Sequence, residues 1–139
     1  MEYKVYKNDT YNLYTIKTDK FKTCHLEVIF KKRICKEDIT ITNFLGDYLS
    51  YTSKKYNKRR KVIEKLEDLY DASFYEATTR VGHMIFVDFI MDFLDPKYCD
   101  KKQLEEALKL PFEFIFNPNF SNGEADPIIF KVISNLRRT

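Results

Sequence analysis

Ile41-Thr42-Asn43-Phe44-Leu45-Gly46-Asp47-Tyr48-Leu49-Ser50-Tyr51 is the stretch on which the fold turns. Ile41, Phe44, Leu45, Tyr48 and Leu49 recur at i, i+3, i+4, i+7 and i+8, the period of a helix that buries one stripe. Glu37 and Asp38 stand just before it, where negative charge favours a helix N-terminus. A helix here divides two groups of strand-like runs, and that division sets the class.

Upstream, residues 3–14 are polar and Tyr-rich and predict a short strand with a turn at Lys7-Asn8-Asp9. Residues 13–18, Leu-Tyr-Thr-Ile-Lys-Thr, are β-prone. Residues 24–31 alternate cleanly. Cys24, Leu26, Val28 and Phe30 share one face, and His25, Glu27, Ile29 and Lys31 share the other.

Downstream, Val62, Ile63, Leu66, Leu69 and Tyr70 predict a second amphipathic helix. Phe74, Glu76 and Thr78 then alternate with Tyr75, Ala77 and Thr79. Val81-Gly82 marks a turn, and Ile85, Val87, Phe89, Met91 and Phe93 take every odd position after it, which predicts a hairpin. Asp95-Pro96 stops this strand. Asp100 caps a third helix, with Gln103 as its capping-box partner and Leu104, Leu108, Phe112 and Ile115 as its stripe. Pro111 is expected to kink or interrupt it, and Asn117-Pro118-Asn119 to end it. A polar loop over residues 121–125 leads to Asp126-Pro127, a cap followed by proline at the first helical position. Ile129, Val132, Ile133 and Leu136 form the fourth stripe.

The expected order is β-β-α-α-β-β-α-α. Strands in hairpins and helices in pairs give an α+β, two-layer fold, with a mostly antiparallel sheet and helices on one face. Residues 1–139 read as a single domain, long enough to bury a core. The last helix runs to Arg137-Arg138-Thr139 with no C-cap glycine, which leads us to expect a domain cut short at its C-terminal side. The sheet edge or helix face left bare by such a cut predicts a dimer or higher oligomer.

Composition narrows the function classes. The 44% hydrophobic and 16% aromatic content belongs to a globular chain, and 3 Gly with 4 Pro disfavour a Rossmann-like one. A net charge of +3 does not by itself call for nucleic acid. Residues 1–9 hold no apolar leader core, and no apolar run approaches the ~20 residues of a membrane helix. Cys24, Cys35 and Cys99 are odd in number and form no CxxC pair, so reduced thiols in a cytoplasmic protein are expected.

Few residues offer chemistry. Cys24 and His25 are adjacent in a strand, so their side chains face opposite ways and form no dyad. His83 stands beside the hairpin turn, in solvent. Asp88 and Asp92 lie away from the core face, where pairing with basic groups is the ordinary fate. With two His in different strands the chain cannot supply a His-rich zinc site, and no metal ligand is assigned. Residues 54–61, Lys-Lys-Tyr-Asn-Lys-Arg-Arg-Lys, fit a solvated helix start better than a nucleic-acid patch.

Three segments in this order carry a resemblance. They are Asn43-Phe44-Leu45-Gly46-Asp47 on the first helix, Leu69-Tyr70-Asp71-Ala72-Ser73 after the second, and Phe116-Asn117-Pro118-Asn119-Phe120 before the fourth. From about residue 13 onward the chain resembles the pitrilysin/insulinase peptidases, the inverzincins. There the first helix carries His-x-x-Glu-His, a Leu-Tyr-Gly-Ala-like step precedes the hairpin, and Asn-Pro-x-Phe separates two later helices. The resemblance puts Asn43 and Asp47 where the zinc histidines stand and Gly46 where the general-base glutamate stands. Gly46 has no side chain to take a proton from water. The family's third ligand, a glutamate on the last helix, has no counterpart in residues 127–138, and Glu124 lies in the loop before it.

Asn43, Gly46 and Asp47 are therefore degenerate motif positions, and no catalytic or cofactor-binding residue is expected, although zinc is the family's metal. The resemblance implies an inactive homologue. Such halves, which in bacteria can sit on separate chains, help to enclose a substrate chamber beside a zinc-bearing half. The implied partners are a second copy or a homologous zinc-bearing subunit, with peptide as possible substrate, no membrane, and nucleic acid disfavoured. The alternative is a metalloendopeptidase active only in a paired or full-length assembly.

Overall fold

A computed structural model describes residues 1–138. Its centre is β5 (Met84–Leu94), paired antiparallel on both edges in the order β3-β5-β4, with β3 (Thr23–Arg33) and β4 (Ser73–Val81) outside. Ile85, Val87, Phe89, Met91 and Phe93, the odd positions of β5, are all buried. The pleat sends these five to one side, and the helices α1 (Ile39–Tyr51), α2 (Arg59–Asp68), α3 (Lys101–Phe116) and α4 (Pro127–Arg138) form the covering layer. This is the two-layer α+β fold that the periodicities imply.

The main core joins Phe74, Phe89 and Met91 of the sheet to Val62 and Leu69 of the second-helix region and to Ala107, Leu110 and Phe114 of α3. Phe74 lies 4.8 Å from the Phe114 ring and 6.5 Å from the Phe89 ring, centroid to centroid. Met91 and Phe114 are 0% exposed. Burying a side chain of this size is worth about 2–3 kcal/mol. A second, smaller cluster holds α4 to α1 through Tyr48, Ile129 and Ile133, with Phe44 against Phe130 at 4.7 Å.

The structure corrects several local expectations. Three strands precede α1, not two. β1 (Glu2–Lys7) and β2 (Asn12–Lys17) form a separate hairpin outside the main sheet. The "loop" at 121–125 is a miniature hairpin, β6 (Phe120–Ser121) with β7 (Glu124–Ala125), closed by Asn122 and Gly123 at φ 52° and 75°. Asn-Gly is the strongest short hairpin signal, and both residues take the positive φ of a type I′ turn. α3 runs through Pro111 as one helix of 16 residues, forgoing the bond a Pro nitrogen cannot donate. Asp100 caps it by accepting from Lys102 N–H, but Gln103 Oε1 is buried and finds no partner among the described residues, so the reciprocal half of the capping box is not made.

α2 ends at Asp68, because Tyr70 and Asp71 turn left-handed at φ 58° and 55°. Each apolar stripe is also narrower than its period suggests. Ile41 and Leu45 of α1, Ile63 of α2, Leu108 and Phe112 of α3, Leu136 of α4 and Tyr70 beyond α2 are exposed. The contacts of each helix run through a narrow part of its stripe, so these rim residues face water.

Candidate functional site

The positions singled out on α1 lie where that helix meets β4 and α4. Gly46 is buried against β4, and a Cβ added there would stand 2.7 Å from Glu76 Oε1 and 2.8 Å from Glu76 Cδ. Real Cβ contacts are never so close, so the Glu76 carboxyl fills the space where a residue 46 side chain would begin. Glu76 reaches this place because alternation puts it on the same face of β4 as Phe74 and Thr78. The Thr78 hydroxyl donates to Glu76 Oε1.

Asp47, the next residue of α1, accepts from Arg137 Nε at 2.5 Å, which ties α1 to the last turn of α4. Burial raises the Glu76 pKa above the ordinary carboxylate value, and the neighbouring Asp47 raises it further, against the Thr78 hydrogen bond and the Arg137 charge. Two carboxyls and one guanidinium thus cluster where α1, β4 and α4 meet, with Asp47 and Arg137 partly open to solvent. Asn43, one turn earlier, is half-buried, and its Oδ1 finds no donor among the described residues.

Tyr48 fastens the other side of α1. It is 1% exposed, its hydroxyl donates to the Asn119 carbonyl at 2.6 Å, and it accepts from Asp126 N–H at 2.8 Å. Its ring stacks on Phe120 at 5.3 Å. Asp126 in turn caps α4 by accepting from Ile128 and Ile129 N–H, as the Asp-Pro start predicts.

These residues do not fit a zinc ion. The carboxylate of Asp47 already holds a guanidinium, whose positive charge opposes a cation in the same space. Residue 46 supplies no atom. Among the described residues no group of three or more His, Cys, Asp or Glu is placed to hold a metal. Glu124 is exposed in β7.

The other candidates fall where alternation puts them. Cys24 packs toward the core, and His25 faces out, its Nδ1 2.6 Å from Asp92 Oδ1. Asp92 also accepts from the Tyr75 hydroxyl at 3.4 Å. Burial, then Glu27 beside it, raises the Asp88 pKa. His83 is exposed, and Cys24, Cys35 and Cys99 are free thiols. Within the basic run, Arg59 lies over the Tyr51 ring at 5.1 Å and donates to the Tyr51 and Ser50 carbonyls, closing the end of α1. Arg60 pairs with Glu64 at 2.7 Å.

Sequence reasoning missed Glu76, Thr78 and Arg137 as members of the site. The signal for Glu76 was present, since a lone acid on the Phe74 face of a strand needs a partner. Arg137 carried no signal beyond a basic residue in a last helical turn.

The fold and this cluster define a class: an antiparallel sheet covered on one face by helices, with a partly exposed carboxyl–guanidinium group where its first helix meets β4 and α4. Among solved structures, the chain is similar to a conserved protein from Enterococcus faecalis V583, at 32% identity with a TM-score of 0.87 over 91% of this chain. It spans only 30% of that protein's length. No family model matches the chain, and no curated protein matches it. No helix among the described residues is long and apolar enough to cross a membrane.

Proposed function

We propose that the chain is a catalytically inactive, metallopeptidase-like domain that serves as a structural or substrate-chamber partner of a zinc-bearing homologue. The observation that supports this reading is the carboxyl–guanidinium cluster at the slots of a His-x-x-Glu-His helix. Glu76 stands where a residue 46 side chain would go, and Arg137 holds Asp47. A water cannot be activated there by Gly46, and the only positive charge present is fixed in an ion pair. Asp71 adds support, since it holds φ 55° at the step where the family writes glycine.

A partner role has a physical basis in β4. It is an edge strand, and the exposed Ser73, Tyr75 and Thr79 lie along it on the face away from the helices. An extended peptide can pair with such an edge through its main chain alone. The chamber wall then holds substrate while the partner's metal cleaves it.

Two measurements test this. Metal analysis of the chain, purified without chelator, is expected to find no stoichiometric zinc; zinc together with chelator-sensitive peptide cleavage overturns the proposal in favour of a peptidase. Mixing with a zinc-bearing homologue is expected to give a complex whose peptide KM is lower than that of the homologue alone. Neither binding nor a change in cleavage also overturns it.

A further inference from the structure

The β1–β2 ribbon is unlike the rest of the molecule. Every residue from Met1 to Lys17 is exposed. Its register places Tyr3 opposite Ile16 and Val5 opposite Tyr14, so these four share one face, with Tyr3 and Tyr14 stacked at 6.4 Å. Nothing among the described residues covers them. A lone two-stranded ribbon is marginal at best in water, so a face of this kind calls for a surface to lie on.

The same chain carries a matching surface. The side of the β3-β5-β4 sheet away from the helices bears Ile29, Tyr75, Phe86 and Ile90. Ile29 and Tyr75 are exposed, 53% and 45%. Three carboxyls, Glu27, Asp88 and Asp92, stand among them, with the His25 ring between two of these, 2.6 Å from Asp92 and 3.7 Å from Glu27. Lys31 and Arg33 lie at the far end of this face. The ribbon and its connector bear Lys4, Lys7, Lys17, Lys20 and Lys22 against Glu2, Asp9 and Asp19. Lys7 shares the apolar face of the ribbon, while Lys4 and Lys17 lie on its reverse, and an apolar ribbon of net positive charge thus meets an apolar sheet face set with acids.

We propose that two copies of this chain exchange ribbons, each β1–β2 hairpin lying on the open sheet face of the other. A two-fold pair makes this contact twice, as a closed isologous dimer requires. The ribbon is about 20 Å long and 10 Å wide from strand geometry. Two such footprints, counted on both partners, cover on the order of 800–1,000 Å², at the lower limit of specific interfaces. The dimer is accordingly weak, with a Kd on the order of tens of micromolar.

The test is sedimentation equilibrium over about 1–200 µM, the span that brackets such a Kd. The variants are a ribbon double, Tyr14→Glu with Ile16→Glu, and a face double, Ile29→Lys with Tyr75→Lys. All four positions are exposed, so unchanged circular dichroism and thermal midpoint are expected. Wild type is expected to dimerise, and each double to weaken this at least tenfold, since acids meet acids in one and lysines meet lysines in the other. An equimolar mixture of the doubles regains association, because it offers one native contact and one with glutamates facing lysines. A monomeric wild type overturns the proposal, including one whose ribbon folds back on its own sheet. So does a double that leaves association unchanged. So does a mixture that fails to recover, the result expected if ribbons pair with ribbons.

Discussion

β4–β5 and β1–β2 are both antiparallel hairpins with alternating apolar residues, and they end in opposite environments. In β5 the five odd positions are buried under α2 and α3. In the N-terminal ribbon Tyr3, Val5, Tyr14 and Ile16 alternate as regularly and stay in water. Period two says which side chains share a face. It does not say that anything will cover that face. Covering needs amphipathic helices within a short connection, and the chain supplies α1 and α2 just before β4 and α3 just after β5, but none beside the ribbon.

The comparison breaks most sharply at the ring that joins sheet and helix. Phe114→Ala is expected to cost about 3–5 kcal/mol, because Phe114 is wholly buried between Phe74 and Tyr56 and the cavity has little room to collapse. Tyr3→Ala, on the ribbon, is expected to change monomer stability by less than about 0.5 kcal/mol. Urea unfolding of both at low protein concentration checks this. Equal losses would mean that the ribbon is part of the cooperative core.

Tyr48 gives the next effect. Tyr48→Phe keeps the ring on Phe120 but leaves the Asn119 carbonyl and Asp126 N–H without their shared hydroxyl. A cost of about 1–3 kcal/mol is expected from the stranded groups. Amide exchange should show α4 opening more readily while the β5 amides keep their protection.

The sequence made the class and most element positions legible, because β5, α1 and α4 carry strong periods and Asp126-Pro127 is an explicit start. It showed the stripes too broadly. Ile41 and Leu45 fit the period of α1, yet the buried line runs through Gly46 and Tyr48, because Glu76 and α4 approach from that side. The candidate site was half legible. Asn43, Gly46 and Asp47 were visible as a frame, whereas Glu76 and Arg137 lie 29 and 90 residues from Asp47, and only tertiary folding brings them there. Long-range pairing of that sort leaves no local pattern.

Glu76 sharpens the contrast further, as an acid on the covered face of β4 where the ribbon's Glu2 is exposed, 3.2 Å from Lys4 Nζ. Its pKa is raised in the folded state, so its contribution is fully present below the unfolded carboxylate pKa and is lost as pH rises through the folded one. Glu76→Gln keeps an acceptor for Thr78 and offers Asp47 an N–H. The variant is expected to have a higher thermal midpoint than wild type at pH 7, with the gap closing toward pH 4. A gap that widens on acidification would mean that the ionised carboxylate, held by Arg137, is the form the fold prefers.

The smallest effect lies at the turn that launches β4. Asp71 is held at φ 55°, a left-handed conformation in which a Cβ is crowded, directly before Ala72 and the covered strand. Asp71→Gly removes that strain but gives the unfolded chain more freedom, and the two terms oppose each other. The strain of about 1–2 kcal/mol for an L-residue is partly relieved for Asp, whose short polar side chain tolerates this region. A net gain of roughly 0.5 kcal/mol is therefore expected, read as a small rise in the urea midpoint with unchanged slope. The same substitution at Asp9, outside the positive-φ residues and in the ribbon's own turn, should gain nothing. A loss at Asp71 would show that its side chain, rather than its backbone angle, sets the turn from which the covered hairpin starts.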